Sequence, residues 1–246
     1  VGSERYGSGP EEADEGSRKG PLVVFDGTPE SEVRDDLPDF EMSGAPPHWV
    51  ALTFDDGPDL WTESVMDVLA ENGAKATFFM LGYKVRSNPE LAQAVVDAGH
   101  EVANHTFNHP ALDRCNNAAV LQELADCSTT IFQITGQTPY FYRAPFLNDS
   151  KVARAAGLAL GMFSVGADVI CNDWIERDYR KITQSITTGV HQQGGRIVLL
   201  HDGIPADRRG SREFTVKAIE HAIPWLQEKG YEFVTISDLA GRVRAA

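Results

Sequence analysis

The 246 residues, 42% of them apolar, are enough to bury one large core, and α/β barrels of about this size commonly form one domain. The formal charge of -14 is uneven, with twelve acidic and four basic side chains in residues 1–47 and a balance of -6 over the rest. Nucleic acid is thereby excluded as an expected partner, since no basic face exists to displace counterions from phosphates.

Residues 1 to about 20 are rich in Gly, Ser and Glu and hold too few large apolar side chains to offset the entropy of ordering. They read as a leader, and 1–47 as an acidic N-terminal segment with one candidate strand, Leu22 to Phe25. No apolar run approaches the roughly 18 residues that cross a bilayer. The first residues also lack the basic and apolar blocks of a secretory signal, so a signal removed ahead of Val1 is the expectation.

From Trp49 an α/β rhythm begins, and residues 48–246 are expected to form one folded domain. Candidate strands are Trp49 to Phe54, Ala76 to Leu81, Glu101 to Asn104, Phe141 to Arg143, Leu158 to Ser164, Arg196 to His201 and Glu232 to Ile236. Helical windows lie at Glu63 to Glu71, Glu90 to Ala98, Ala118 to Thr135, Lys151 to Ala156, Arg180 to Gln192 and Arg212 to Lys229. Gly73, Gly99, Gly157, Gly194 and Gly230 follow these windows, where a positive φ caps exposed carbonyls. The repeated order predicts parallel strands with right-handed crossovers, wound as an open sheet or closed as a barrel.

Polar residues cluster at the predicted strand ends, where parallel α/β folds build their sites. Thr53-Phe-Asp-Asp-Gly-Pro58 sets two adjacent carboxylates before a turn; alone it reads as a turn, yet adjacent carboxylates repel and a cation would relieve them. His105-Thr-Phe-Asn-His109 puts two imidazoles four residues apart, close enough on one helical turn to grip one ion. With Asp56 they supply two nitrogens and one oxygen, a donor set that suits a catalytic divalent metal such as zinc. Arg143 ends a strand ahead of Ala-Pro-Phe146 and could pair with the other carboxylate. Asp173-Trp174 and Ile197-Val-Leu-Leu-His-Asp202 are each unremarkable alone.

Together, in this order, Thr53 to Pro58, His105 to Pro110, Arg143 to Phe146, Asp173-Trp174 and Leu199 to Asp202 closely resemble the five motifs of the polysaccharide deacetylase family with the NodB homology domain, carbohydrate esterase family 4. The resemblance covers about residues 48 to 240. It implies a distorted (β/α) barrel of about seven parallel strands and metal-dependent hydrolysis of acetyl groups on a polysaccharide or oligosaccharide. It also implies roles: Asp55 as general base, Asp56, His105 and His109 as metal ligands, and Arg143 as the partner orienting Asp55. His201 would be the general acid and Asp173 the carboxylate polarising it. Trp174 and Leu199 would wall the acetyl methyl, and the Phe146 N–H would face the oxyanion. Zinc is the expected ion, with cobalt or nickel as substitutes.

One departure is that Asp168 and Asp173 are separated by Val-Ile-Cys-Asn, where the family often has two aspartates three residues apart. Asp173 is chosen because it adjoins Trp174. Trp61 and Tyr83, after the first two strands, are candidate platforms for sugar stacking. Cys115 and Cys171 fall in loops near the motifs, which makes a bridge between them a hypothesis.

N-acetylglucosamine polymers are the favoured substrate, and the net negative charge favours neutral chitin over anionic cell-wall polymers such as peptidoglycan. Acetylated xylan is the ester alternative. A non-catalytic carbohydrate-binding homologue and an enzyme opening small cyclic amides are the readings from other classes. A monomer, secreted or at the cell surface, is expected.

Overall fold

The computed structural model describes residues 48–241. The expected Leu22 to Phe25 strand and the acidic segment lie outside the described residues.

Among the described residues eight parallel strands are interspersed with helices: β1 (Trp49–Gly57), β2 (Ala76–Met80), β3 (Glu101–Asn104), β4 (Phe141–Tyr142), β5 (Phe163–Ser164), β6 (Val169–Ile170), β7 (Ile197–His201) and β8 (Glu232–Phe233). The helices are α1 (Thr62–Glu71), α2 (Gly82–Ser87), α3 (Pro89–Asp97), α4 (Asn117–Thr135), α5 (Lys151–Ala159), α6 (Tyr179–His191), α7 (Glu213–Glu228) and α8 (Ile236–Leu239). Seven strands run in the order β5-β4-β3-β2-β1-β7-β6, and β8 pairs with the start of β1. The sheet curls into a half-barrel, the expected fold.

The two-residue period of a strand sorts the core into two shells. Leu52 and Phe54 of β1 and Phe78 and Met80 of β2 pack outward among the helices. Ala51, Phe79, Ala103 and Phe141 pack inward, closed at one end by Ile236 and Leu239 of α8. That alternation turns Thr53 and Asp55 inward as well. Both are buried in spite of their polarity.

The strand expected over Leu158 to Ser164 begins only at Phe163, because α5 runs on through Ala159. Gly157 therefore does not cap a helix; it lies within α5, where a Cβ would come 2.4 Å from the Tyr142 ring. Gly161, at φ +78, makes the turn instead. The expected Glu232 to Ile236 strand stops at Phe233, since Thr235 and Asp238 form a capping box that starts α8. The short β6 and α2 were not anticipated. The other expected glycines, Gly73, Gly99, Gly194 and Gly230, all take positive φ.

Candidate active site

At the carboxyl end of β1, a regular strand would send Asp55 and Asp56 to opposite faces. Instead the register against β2 shifts between Asp55 and Gly57, and Asp56 takes the left-handed region at φ 74. Both carboxylates thus reach one cleft. Gly203 allows this turn, because a Cβ there would lie 2.0 Å from the Asp56 carbonyl oxygen.

The two imidazoles come from the loop after β3. They do not sit on a helical turn, as their spacing suggested: Thr106 and His109 adopt φ 70 and 64, and the loop folds back on itself. Asn104 Oδ1 accepts from Thr106 N at 2.7 Å, and Glu123 of α4 accepts from the backbone N–H groups of Phe107 and Asn108. The resulting geometry brings Asp56 Oδ1 to 3.5 Å from His105 Nε2 and 3.3 Å from His109 Nε2.

These three residues could hold a metal ion, one donor atom from each lying within 4.8 Å of the others. Two further observations fit that use. Asp56 Oδ1 is buried without a hydrogen-bond partner, an arrangement that is costly unless a cation completes it. His105 Nδ1 donates to the Arg143 carbonyl at 2.8 Å, which leaves the Nε2 lone pair directed at the group. Burial opposes ionisation of Asp56, yet the adjacent imidazoles of His105, His201 and His109 outweigh it and hold the carboxyl well below its usual range. His109 is pushed down to about 4 by burial and by His105.

Asp55 is fixed by Arg143, whose Nη1 donates to Asp55 Oδ1 at 2.8 Å and to Thr53 Oγ1 at 2.7 Å. The same guanidinium donates to the carbonyls of Val165 and Gly166 and stacks 4.1 Å over Phe79. It therefore ties β1 to the segment between β5 and β6, where the barrel lacks a ladder. Asp55 Oδ2 faces His105 Nε2 at 3.9 Å.

His201, at the end of β7, donates from Nδ1 to Asp173 Oδ1 at 2.8 Å, while Asp173 Oδ2 accepts from the His201 N–H and the Thr215 hydroxyl. Burial disfavours the imidazolium, but Asp173, by charge and hydrogen bond, with Asp56 and Asp55 beyond, raises His201 to about 9. Its protonated Nε2 is the ring position left for the cleft.

A cleft of ≈ 430 Å³ joins Asp55, Asp56, His105, His109 and His201, with Phe146, Trp174 and Leu199 on its walls. Phe146 takes φ 61 and sets its ring 4.8 Å from that of His109. A hollow of ≈ 730 Å³ lies between residues 168–176 and α6 and contains none of these acid, base or metal groups.

Trp61 and Tyr83 are not exposed platforms in this cleft. Trp61 packs against the main core at the start of α1, and the Tyr83 hydroxyl accepts from the Ala206 N–H at 3.1 Å. Asp168 accepts from the N–H groups of Arg196 and Ile197, tying the start of β7 far from His201 at its other end. Cys115, Cys127 and Cys171 are all free thiols, so the Cys115–Cys171 bridge is not formed.

Several groups escaped the sequence reading. Thr53 and Thr215 complete the two carboxylate networks, and the segment after β7 brings Pro205, Arg208 and Arg212 to the cleft. The run Arg208-Arg209-Gly-Ser-Arg212, close behind the Leu-His-Asp motif, was the available signal for the last two.

Residues 43–165 match the model of a family described as polysaccharide deacetylase. A chitooligosaccharide deacetylase from Bradyrhizobium sp. (strain ANU 289) is 38% identical over 198 residues, covering 77% of this chain and 90% of that protein. A peptidoglycan-N-acetylglucosamine deacetylase from Bacillus cereus is 35% identical over 195 residues, covering 77% and 87%. Among solved structures, a family 4 acetyl xylan esterase from Clostridium thermocellum, in complex with a cobalt ion, superposes with a TM-score of 0.69 at 34% identity, covering 78% of this chain and 89% of that one. No helix among the described residues is long and apolar enough to cross a membrane.

Proposed function

The chain belongs to the polysaccharide deacetylase family, carbohydrate esterase family 4, and from that premise we propose that it hydrolyses the acetamide of N-acetylglucosamine polymers or oligomers, releasing acetate. The observation carrying this reading is the convergence of a buried base, an imidazole acid and a three-donor metal group on one cleft. Zinc is the ion we propose. An ion held by Asp56, His105 and His109 supplies positive charge that acidifies water and polarises the acetyl carbonyl.

In this account Asp55 takes the proton of the attacking water through Oδ2, since Oδ1 is engaged by Arg143. Attack on the acetyl carbon places negative charge on its oxygen, and the Phe146 N–H donates to that charge. Loss of such a donor costs roughly 3 kcal/mol in the transition state. His201, kept protonated by Asp173, then gives its Nε2 proton to the departing amine nitrogen, and the C–N bond breaks. Trp174 packs edge-on to His201 at 5.3 Å and, with Leu199, leaves room for a methyl group and excludes water. Residues 48–246 are the catalytic unit in this reading, acting as a monomer, secreted or at the cell surface.

Ester and amide acetyls share the carbonyl site and differ in leaving group, and the esterase likeness supports acetylxylan as a second substrate. The deciding experiment compares acetate release from chitin oligomers, peptidoglycan and acetylxylan. Turnover of acetylxylan alone would replace the amide reading with the ester one.

A further inference from the structure

The overall charge of -14 argues for a neutral polymer, but the lining of the cleft does not follow that sum. Asp55 is matched by Arg143, and Asp56 belongs to the metal group. With His201 matched by Asp173, the remaining formal charges on the walls are cationic: Arg208 and Arg212, both from the segment between β7 and α7.

Arg212 is only 3% exposed, and its Nε donates to the Gly203 carbonyl at 2.8 Å. Among the described residues neither arginine forms an ion pair. The acids whose field reaches Arg212 are Asp173, Asp56 and Asp202. Asp173 is committed to His201 and Thr215, and Asp202 Oδ2 accepts from Thr62 at 2.5 Å. Arg177 adds to the cationic cluster; a Cβ on Gly210 would lie 3.7 Å from its Nη2 and 3.9 Å from Arg212 Nη1.

Arg208 is exposed, but it is not a free surface charge. Its guanidinium lies 5.2 Å over the ring of Phe146, which itself packs on His109. For the buried Arg212 a guanidinium withdrawn from water without an anion is costly, and the planar fork of either arginine matches a carboxylate better than any neutral sugar hydroxyl.

We infer that Arg208 and Arg212 form a carboxylate-recognising subsite, so that the preferred polymer bears a carboxylate on a sugar next to the one being deacetylated. This rests on the N-acetylglucosamine reading above. It also reverses the expectation drawn from net charge, because a local pair of cations acts on the groups beside it more strongly than the distant, screened surface does. The acetate released is a carboxylate too, so the test must separate the two sources.

The test uses metal-loaded protein and two tetramers of N-acetylglucosamine, one neutral and one carrying a lactyl ether carboxylate on alternate sugars. The carboxylated tetramer is expected to have the higher kcat/KM. Arg208→Gln should lower the ratio of the two values about tenfold, the size of one charge-assisted hydrogen bond, and Arg208→Lys should restore part of it. Arg212→Lys, checked for intact thermal unfolding, should lower the ratio as well.

A wild-type protein that favours the neutral tetramer overturns the inference. So does a ratio unchanged in Arg208→Gln and Arg212→Lys, whether or not inhibition by added acetate is relieved. No turnover of either tetramer would instead overturn the N-acetylglucosamine reading, and this inference with it.

Discussion

Arg143 Nη1 holds Asp55 Oδ1 at 2.8 Å although the two residues are 88 positions apart. The pair decides which carboxylate oxygen faces the cleft, and it also joins β1 to the carbonyls of Val165 and Gly166. Function and stability therefore meet in a single guanidinium.

Replacing Arg143 with Met should leave Asp55 as a buried charge without its partner. The expected loss of stability is about 3–5 kcal/mol, read from the denaturant midpoint. Arg143→Lys should recover part of that, since an ammonium can reach Asp55 but cannot fork to both carbonyls. Equal midpoints for wild type and Arg143→Met would refute this role.

Asp55→Asn keeps the shape of the side chain and removes its basicity. Metal content measured by mass spectrometry should stay near that of the wild type, while kcat should fall by roughly 10²–10⁴, the usual contribution of a general base. Near-normal turnover would remove Asp55 from the chemistry.

As a general acid, His201 must be protonated, and its pKa is raised to about 9. Activity supported by it is present below that value and lost as pH rises through it. Asp173→Asn takes away the charge that most favours the imidazolium, so the alkaline limb of kcat/KM should move to lower pH. A limb that stays in place would show that another group titrates there.

Gly203→Ala would put a methyl group 2.0 Å from the Asp56 carbonyl oxygen, so the β1 turn must shift. Weaker metal binding is expected from titration calorimetry. Unchanged affinity would mean that the turn does not position Asp56.

How legible this was in the sequence depended on the range of the signal. Inward-facing Asp55 follows from the two-residue period of β1, and β3 was delimited correctly because β-branched and small residues end at Asn104. The His105–His109 spacing was visible, but the left-handed residues Thr106 and His109 that fold the loop were not, since that conformation is rare for Thr and a minority state even for His. Trp61 stood as a candidate platform because local sequence does not report the core packed against it. Two-residue β6 lies below the length at which alternation can be recognised. Arg212 stood as the first residue of a helical window; the basic run just behind the Leu-His-Asp motif hinted at a place in the cleft, and the tertiary fold supplies it.

The most direct test of the central claim is acetate release from N-acetylglucosamine oligomers by protein stripped with a chelator, then reloaded with Zn²⁺, with His105→Ala carried alongside. The account predicts no release after stripping, recovery on reloading, and neither metal retention nor release in His105→Ala. Full activity in protein verified to be free of metal would contradict it.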